Sequence, residues 1–233
     1  MTVLSATRKF DFGRDLLKII AISTMVVDHI GKILYPNIVF LQAIGRLAFP
    51  LFAYLVVLGI ESTKKPLNYM VTLLLFAVIS QVPYSLAFGI QLFDRLNILF
   101  SLLLSALTIY YYKKRNILAF IPLLLSIVLM TEGSYYVVLT AICMKILNDS
   151  PKIGVLALVA LNLQFLFMPD LESQIQILAL LALPLVFLHT KNRLKKEILI
   201  PKNSIAYVIR KYFFYMFYPL HLALLFLINL FLF

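Results

Sequence analysis

Apolar runs approaching the ~20 residues that carry an α-helix across a ~30 Å hydrocarbon core recur along this 233-residue chain. They fall near residues 16–36, 40–60, 69–89, 97–112, 117–131, 134–148, 152–168, 174–190 and 212–233. With 63% hydrophobic and 13% charged residues, against roughly half and a quarter in a soluble domain, no soluble fold could bury the apolar surface. The pattern predicts an all-α polytopic bundle of about nine transmembrane helices. It leaves no stretch for a separate soluble domain, so residues 1–233 read as one domain.

The first run carries Lys18, Asp28 and His29 and is not followed by a small-residue cleavage site, so it is expected to stay attached as a span. The single cysteine, Cys143, excludes an intramolecular disulfide or a Cys-rich metal site. Packed among apolar residues, its thiol is a poor nucleophile.

With nine spans the connections alternate sides, and the basic residues sort sharply. Of the 21 Lys and Arg, all but Lys32, Arg46 and Arg95 fall in the set that holds the N-terminal segment, 64–65, 113–115, 145–152 and 191–211. The positive-inside rule then predicts a cytoplasmic N-terminus and an outward C-terminus. The net charge of +11 is thus mainly a topology signal beside anionic lipid, not a nucleic-acid footprint. Segment 191–211 is basic beyond what orientation requires and could also hold a phosphorylated cytoplasmic ligand.

Ionisable groups at membrane depth are costly unless they face protein or water, and each marks a candidate site. At 100° per residue, Asp15, Lys18, Ile22, Met25, His29 and Lys32 share one face of the first span. Asp28 lies about 100° away from His29 and reads either as pairing across helices with Arg46, which enters the second span from the same outer side, or as one of two charges that snorkel to the outer interface. The stripe Asn97, Ser101, Ser105 and Thr108 reads either as interhelical hydrogen bonding or as a polar channel wall. In the last span, His221 shares a face with Arg210, Phe214 and Phe217.

A histidine at such depth suits general-base transfer of an acyl group to an amine or hydroxyl. An acyl-CoA donor would keep its phosphates among cytoplasmic basic residues, for which Lys64, Lys113, Arg115, Lys195 and Arg210 are candidates, while its thioester reached toward His29. Proton-coupled transporters place the same residue types at the same depths. No HExxH or similar spacing accompanies the three histidines, so no metal is expected.

The motifs Asp15-Leu-Leu-Lys18, Met25-Val-Val-Asp28-His29-Ile-Gly31 and Gly45-Arg46-Leu-Ala-Phe49-Pro50-Leu-Phe52 resemble the opening of the TraX family of membrane proteins. Further matches follow in order: Ser80-Gln-Val-Pro83-Tyr84, Leu96-Asn97-Ile-Leu-Phe100, Glu132-Gly133-Ser-Tyr135-Tyr136 and Tyr215-Met-Phe-Tyr218-Pro219-Leu-His221-Leu222. The family is associated with acetylation of the N-terminal amine of conjugative pilins, and its opening is distantly similar to the wider transmembrane acyltransferase superfamily. The resemblance implies a bacterial cytoplasmic-membrane acyltransferase using acetyl-CoA or another acyl-CoA, with His29, Asp28 and Arg46 catalytic. Lys18, Lys32, Tyr84, Asn97, Glu132, Tyr218 and His221 are the candidates for substrate binding. The acceptor would be a peptide N-terminus, a glycan or a lipid-linked molecule. Where the family usually has an acidic residue before the Pro-aromatic pair of the third span, this chain has Gln81. Two rivals remain open at the level of sequence: a proton-linked transporter or flippase, and a non-enzymatic assembly factor.

Overall fold

A computed structural model describes residues 7–194, 196–201 and 203–232. The chain is a helical membrane protein. After a short strand β1 (Thr7–Asp11) come α1 (Phe12–Ile33), α2 (Val39–Gly45), α3 (Ala48–Ser62), α4 (Pro66–Phe88) and α5 (Ile98–Lys113). A 3-10 turn at Ile117–Ala119 leads into α6 (Phe120–Val128), followed by α7 (Ser134–Asp149) and α8 (Pro151–Leu163). The segment α9 (Leu171–Gln174), a 3-10 stretch Ile175–Ala182 and α10 (Leu183–Thr190) form one interrupted rod. Strand β2 (Glu197–Pro201) and α11 (Ile205–Leu232) complete the described chain.

Among the described residues, four helical segments are long and apolar enough to cross a membrane: Val39–Ser62, Pro66–Phe88, Leu171–Thr190 and Tyr212–Leu232. The first is α2 and α3 run together across Arg46 and Leu47. Helix α1 has 22 residues, about 33 Å at 1.5 Å per residue, yet it carries five ionised side chains besides His29. The run expected at 117–131 is shorter than a full crossing. Its helix stops at Val128, and the loop after it turns back through Met130 and Gly133, both with positive φ (48° and 70°). The Glu132 amide then donates to the Leu96 carbonyl (2.7 Å), which pins this loop beside the start of α5.

Helix α3 is apolar nearly all round and sits at the centre, as expected for a fully enclosed helix. Leu51, Ala53, Tyr54 and Val57 are fully buried, and α1, α5 and α7 pack around it. One close approach between helices falls at a glycine. A Cβ on Gly154 of α8 would come within 2.1 Å of the Leu147 backbone in α7, so no larger residue permits that approach.

The two strands, absent from the sequence reading, pair antiparallel with Thr7 opposite Pro201 and Asp11 opposite Glu197. Lys9 and Glu197 form an ion pair across them (2.7 Å). One strand feeds α1 and the other precedes α11, so the pairing sets the starts of the first and last helices side by side. Further bonds gather ends at this pole: Arg14 to Ser62 (2.8 Å), Lys145 to Glu61 (2.7 Å) and Asp11 to His189 (3.0 Å). The basic connections at 64–65, 145–152 and 191–194 therefore share one end of the bundle.

Candidate functional site

The face of α1 read from the sequence turns inward: Asp15, Ile22, Met25 and His29 are buried. His29 finds its partner on α11. Its Nδ1 lies 2.9 Å from Nε2 of His221, and the two rings are nearly parallel. The second nitrogen of His221, Nδ1, lies 3.0 Å from the Phe217 carbonyl of its own helix.

This chain of contacts assigns the tautomers. A carbonyl only accepts, so His221 Nδ1 carries the proton and donates to Phe217. In the neutral ring Nε2 then has the lone pair and accepts from His29 Nδ1–H. His29 in turn presents an unprotonated Nε2, the arrangement a general base needs.

Beside His29 is a cavity of about 20 Å³ lined by Met25, Asp28, Gly45, Ala48, Phe49, Phe52, Ile98 and Glu132. That is room for roughly one water-sized group, since a single water needs ~10–15 Å³. Glu132 is held by the loop that turns back after α6, and its side chain is buried at the N-terminus of α5. Its Oε2 and the Tyr218 hydroxyl are both buried without a hydrogen-bond partner among the described residues. Unpartnered buried oxygens are uncommon enough to call for an explanation.

The remaining sequence candidates divide. Tyr218 faces His29 with ring centroids 6.4 Å apart, and Tyr84 reaches the same region through Phe88, 4.9 Å away, which itself meets His29 edge-on. The expected pair of Asp28 with Arg46 does not form. Asp28 instead binds Lys32 one turn along α1 (2.6 Å), because that cation already shares its face, while Arg46 donates to Gln176 (3.1 Å). Gln176 continues to the Tyr136 hydroxyl (3.1 Å) and this to Asn162 (3.0 Å), a buried polar chain that the sequence reading missed. The signal available for it was an Asn or Gln inside an apolar run, a weaker mark than a charge.

Asn97 is buried and bonded within the fold. Its Nδ2 donates to the Ala77 carbonyl and to Gln81 Oε1 (both 2.8 Å), and its Oδ1 caps α5 at the Leu99 amide. Ser101 donates to the Glu132 carbonyl, whereas Ser105 and Thr108 bond back to their own helix. The stripe is therefore packed and satisfied, not a channel wall. Gln81 donates to the Leu92 and Arg95 carbonyls (2.7 and 2.8 Å), clasping the α4–α5 loop.

At the basic pole, Arg210 is bound to Asp15 (2.6 Å), which Lys18 also approaches (3.5 Å). Lys18 sits over the Phe214 ring, 4.8 Å from its centroid. Arg210 is thus tied to α1 through Asp15 at this pole. Lys64, Lys113 and Arg115 are exposed at helix ends; Lys195 lies outside the described residues. His189, seen in the sequence only as one histidine near a helix end, bridges Asp11 and the Tyr54 hydroxyl (2.9 Å) and ties α3 to the strands.

A family model described as "TraX protein" matches residues 13–229. The chain is 27% identical over 250 aligned positions to the "Probable fimbrial assembly protein FimC, serogroup H1" of Dichelobacter nodosus, covering 94% of this chain and 96% of that one. It is 35% identical over 100 residues to an uncharacterised protein of Rickettsia prowazekii (strain Madrid E), a match spanning 43% of this chain and 38% of the relative. No solved structure matches.

Proposed function

The chain belongs to the TraX family, and from that premise we propose that it is a multi-pass acyltransferase of the bacterial cytoplasmic membrane. The N-terminus is cytoplasmic and the chain crosses about nine times, a topology supported by the gathering of basic helix ends at one pole. The observation that carries the catalytic reading is the relay from the Phe217 carbonyl through His221 to His29, which leaves Nε2 as the lone-pair nitrogen of a ring that borders a water-sized cavity.

In this reading His29 Nε2 takes the proton of an acceptor amine or hydroxyl as that atom attacks the thioester carbonyl of an acyl-CoA. The tetrahedral intermediate collapses with cleavage of the C–S bond, and the imidazolium returns its proton to the departing thiolate. His221 holds the base in the required tautomer and shares the transient positive charge. Glu132, with Oε2 unpartnered, is suited to bind a polar N–H or O–H of the acceptor. The cavity as it stands holds only a small group, so the walls must part when the donor thioester enters. The name of the Dichelobacter relative joins it to fimbrial assembly, and by that likeness the acceptor would be a pilus-type subunit presented at the membrane.

The test is turnover of acetyl-CoA by purified protein in nanodiscs with a total membrane extract, free CoA being counted for wild type and His29→Ala. CoA release that needs both the extract and His29 supports acyl transfer. Release no greater than that of His29→Ala, across several acyl-CoAs, refutes it.

A further inference from the structure

Helices α1 and α11 run side by side but touch mainly at two levels. Asp15 and Arg210 close one end and His29 and His221 the other. Between these clasps the helices leave a groove of about 540 Å³ lined by Ile19, Ile22, Ser23, Val26, Phe213, Phe214 and Phe217.

We propose that this groove is a binding site for one hydrocarbon chain of an anionic phospholipid from the cytoplasmic leaflet, with its phosphate against Lys18 and Arg210. Four observations argue for that occupant. The groove opens on the lipid-facing side, since Ile19 and Phe213 are about half exposed. From Lys18 to His29 is eleven residues, roughly 16 Å of helix, close to the ~15 Å of one leaflet's hydrocarbon. The lining offers a single hydroxyl, Ser23, so a pantetheine arm would leave its amides without partners, whereas a hydrocarbon chain loses nothing. At the mouth, two cations share one carboxylate: Arg210 and Lys18 both address Asp15, which leaves a surplus positive charge for an anionic headgroup.

The inner wall gives the site a consequence. Phe217 stacks on His221 with centroids 5.2 Å apart, and the Phe217 carbonyl orients that ring. A chain in the groove packs against the residue that sets the histidine pair. The binding site itself does not depend on whether the protein transfers acyl groups.

The experiment is photolabelling of the full chain in phosphatidylcholine vesicles. A trace of phosphatidylglycerol or of phosphatidylcholine carries a diazirine in mid-chain, and labels are mapped by peptide analysis. The site requires labels on Ile19, Ser23, Val26 or Phe213–Phe217 that favour the phosphatidylglycerol probe by about fivefold, the factor for ~1 kcal/mol per basic residue at an anionic surface. Lys18→Gln should remove that preference. Ser23→Trp, which fills the groove, should remove the labels while those on Leu75 and Val78, exposed on α4, persist as a check on folding. Equal labelling by both probes, labels unchanged in Ser23→Trp, or displacement of the probe by acetyl-CoA would each overturn the assignment.

Discussion

His29 and His221 stand 192 residues apart in sequence and 2.9 Å apart in space, joined nitrogen to nitrogen. One donates and the other accepts, and the Phe217 carbonyl decides which. A pair ordered in this way differs from two independent bases, and its members should respond differently to substitution.

His29→Ala is expected to lower acyl transfer by ~10²- to 10⁴-fold, the usual contribution of a general base. His221→Leu removes one neutral hydrogen bond, about 0.5–1.5 kcal/mol or roughly two- to tenfold in rate. His221→Gln should recover much of that loss, because its amide oxygen can accept from His29 Nδ1–H. Steady-state rates of the three variants check the order; equal loss in the Leu and Gln variants would remove the orienting role.

Gly45→Ala should destabilise the protein by about 1–3 kcal/mol, the range for overpacking. The added Cβ would lie 2.2 Å from Asp28 Cβ, so α1 and α2 must separate and the cavity wall must shift. Gly89→Ala provides the contrast: its Cβ meets nothing within 4 Å, but φ is +63°, which costs roughly 1–2 kcal/mol of backbone strain. Thermal unfolding in detergent should show both losses, with reduced turnover in surviving Gly45→Ala protein only.

Gln81→Glu restores the acidic character usual in the family and is expected to destabilise this chain. The two N–H bonds to the Leu92 and Arg95 carbonyls would be replaced by an acceptor facing acceptors, a cost of about 1–3 kcal/mol. Unchanged thermal stability would mean that the loop is held by other contacts.

Arg210→Ala leaves Asp15 with Lys18 as its cation. The pair is partly shielded, with side chains 24% and 12% exposed, so the loss should fall below the ~3–5 kcal/mol seen on breaking fully buried pairs, at about 1–3 kcal/mol. Exchanging the charges, Asp15→Arg with Arg210→Asp, should recover part of it. A double-mutant cycle in thermal unfolding measures the coupling; a coupling of zero would make the contact incidental.

The helical architecture was legible because apolar run length is a direct consequence of bilayer thickness, and the inward face of α1 followed from 100° periodicity alone. His29 and Asp28, marked by their cost at membrane depth, border one cavity with Glu132, which only the family resemblance had singled out. Periodicity locates a residue around its own helix and says nothing of which helix lies opposite. The sequence therefore supplied His29 and His221 without their bond, and paired Asp28 with Arg46 although Lys32 was one turn away. Strands of five residues, such as Thr7–Asp11 and Glu197–Pro201, carry too little alternation to stand out beside charged segments. The Arg46–Gln176–Tyr136–Asn162 chain was hidden for a related reason, since uncharged amides in apolar runs are compatible with many partners.

The contact between His29 and His221 also fixes when the site can exist during synthesis. The chain is made at about 5–20 residues per second, so the 192 positions from His29 to His221 take roughly 10–40 s. For that interval α1 is in place with its buried charges, while the helix that completes them has yet to emerge. A nascent chain halted before α11 contains His29, Asp28 and Glu132 but not the ring that sets the tautomer. Premature termination before α11 thus yields a product that lacks the histidine relay altogether.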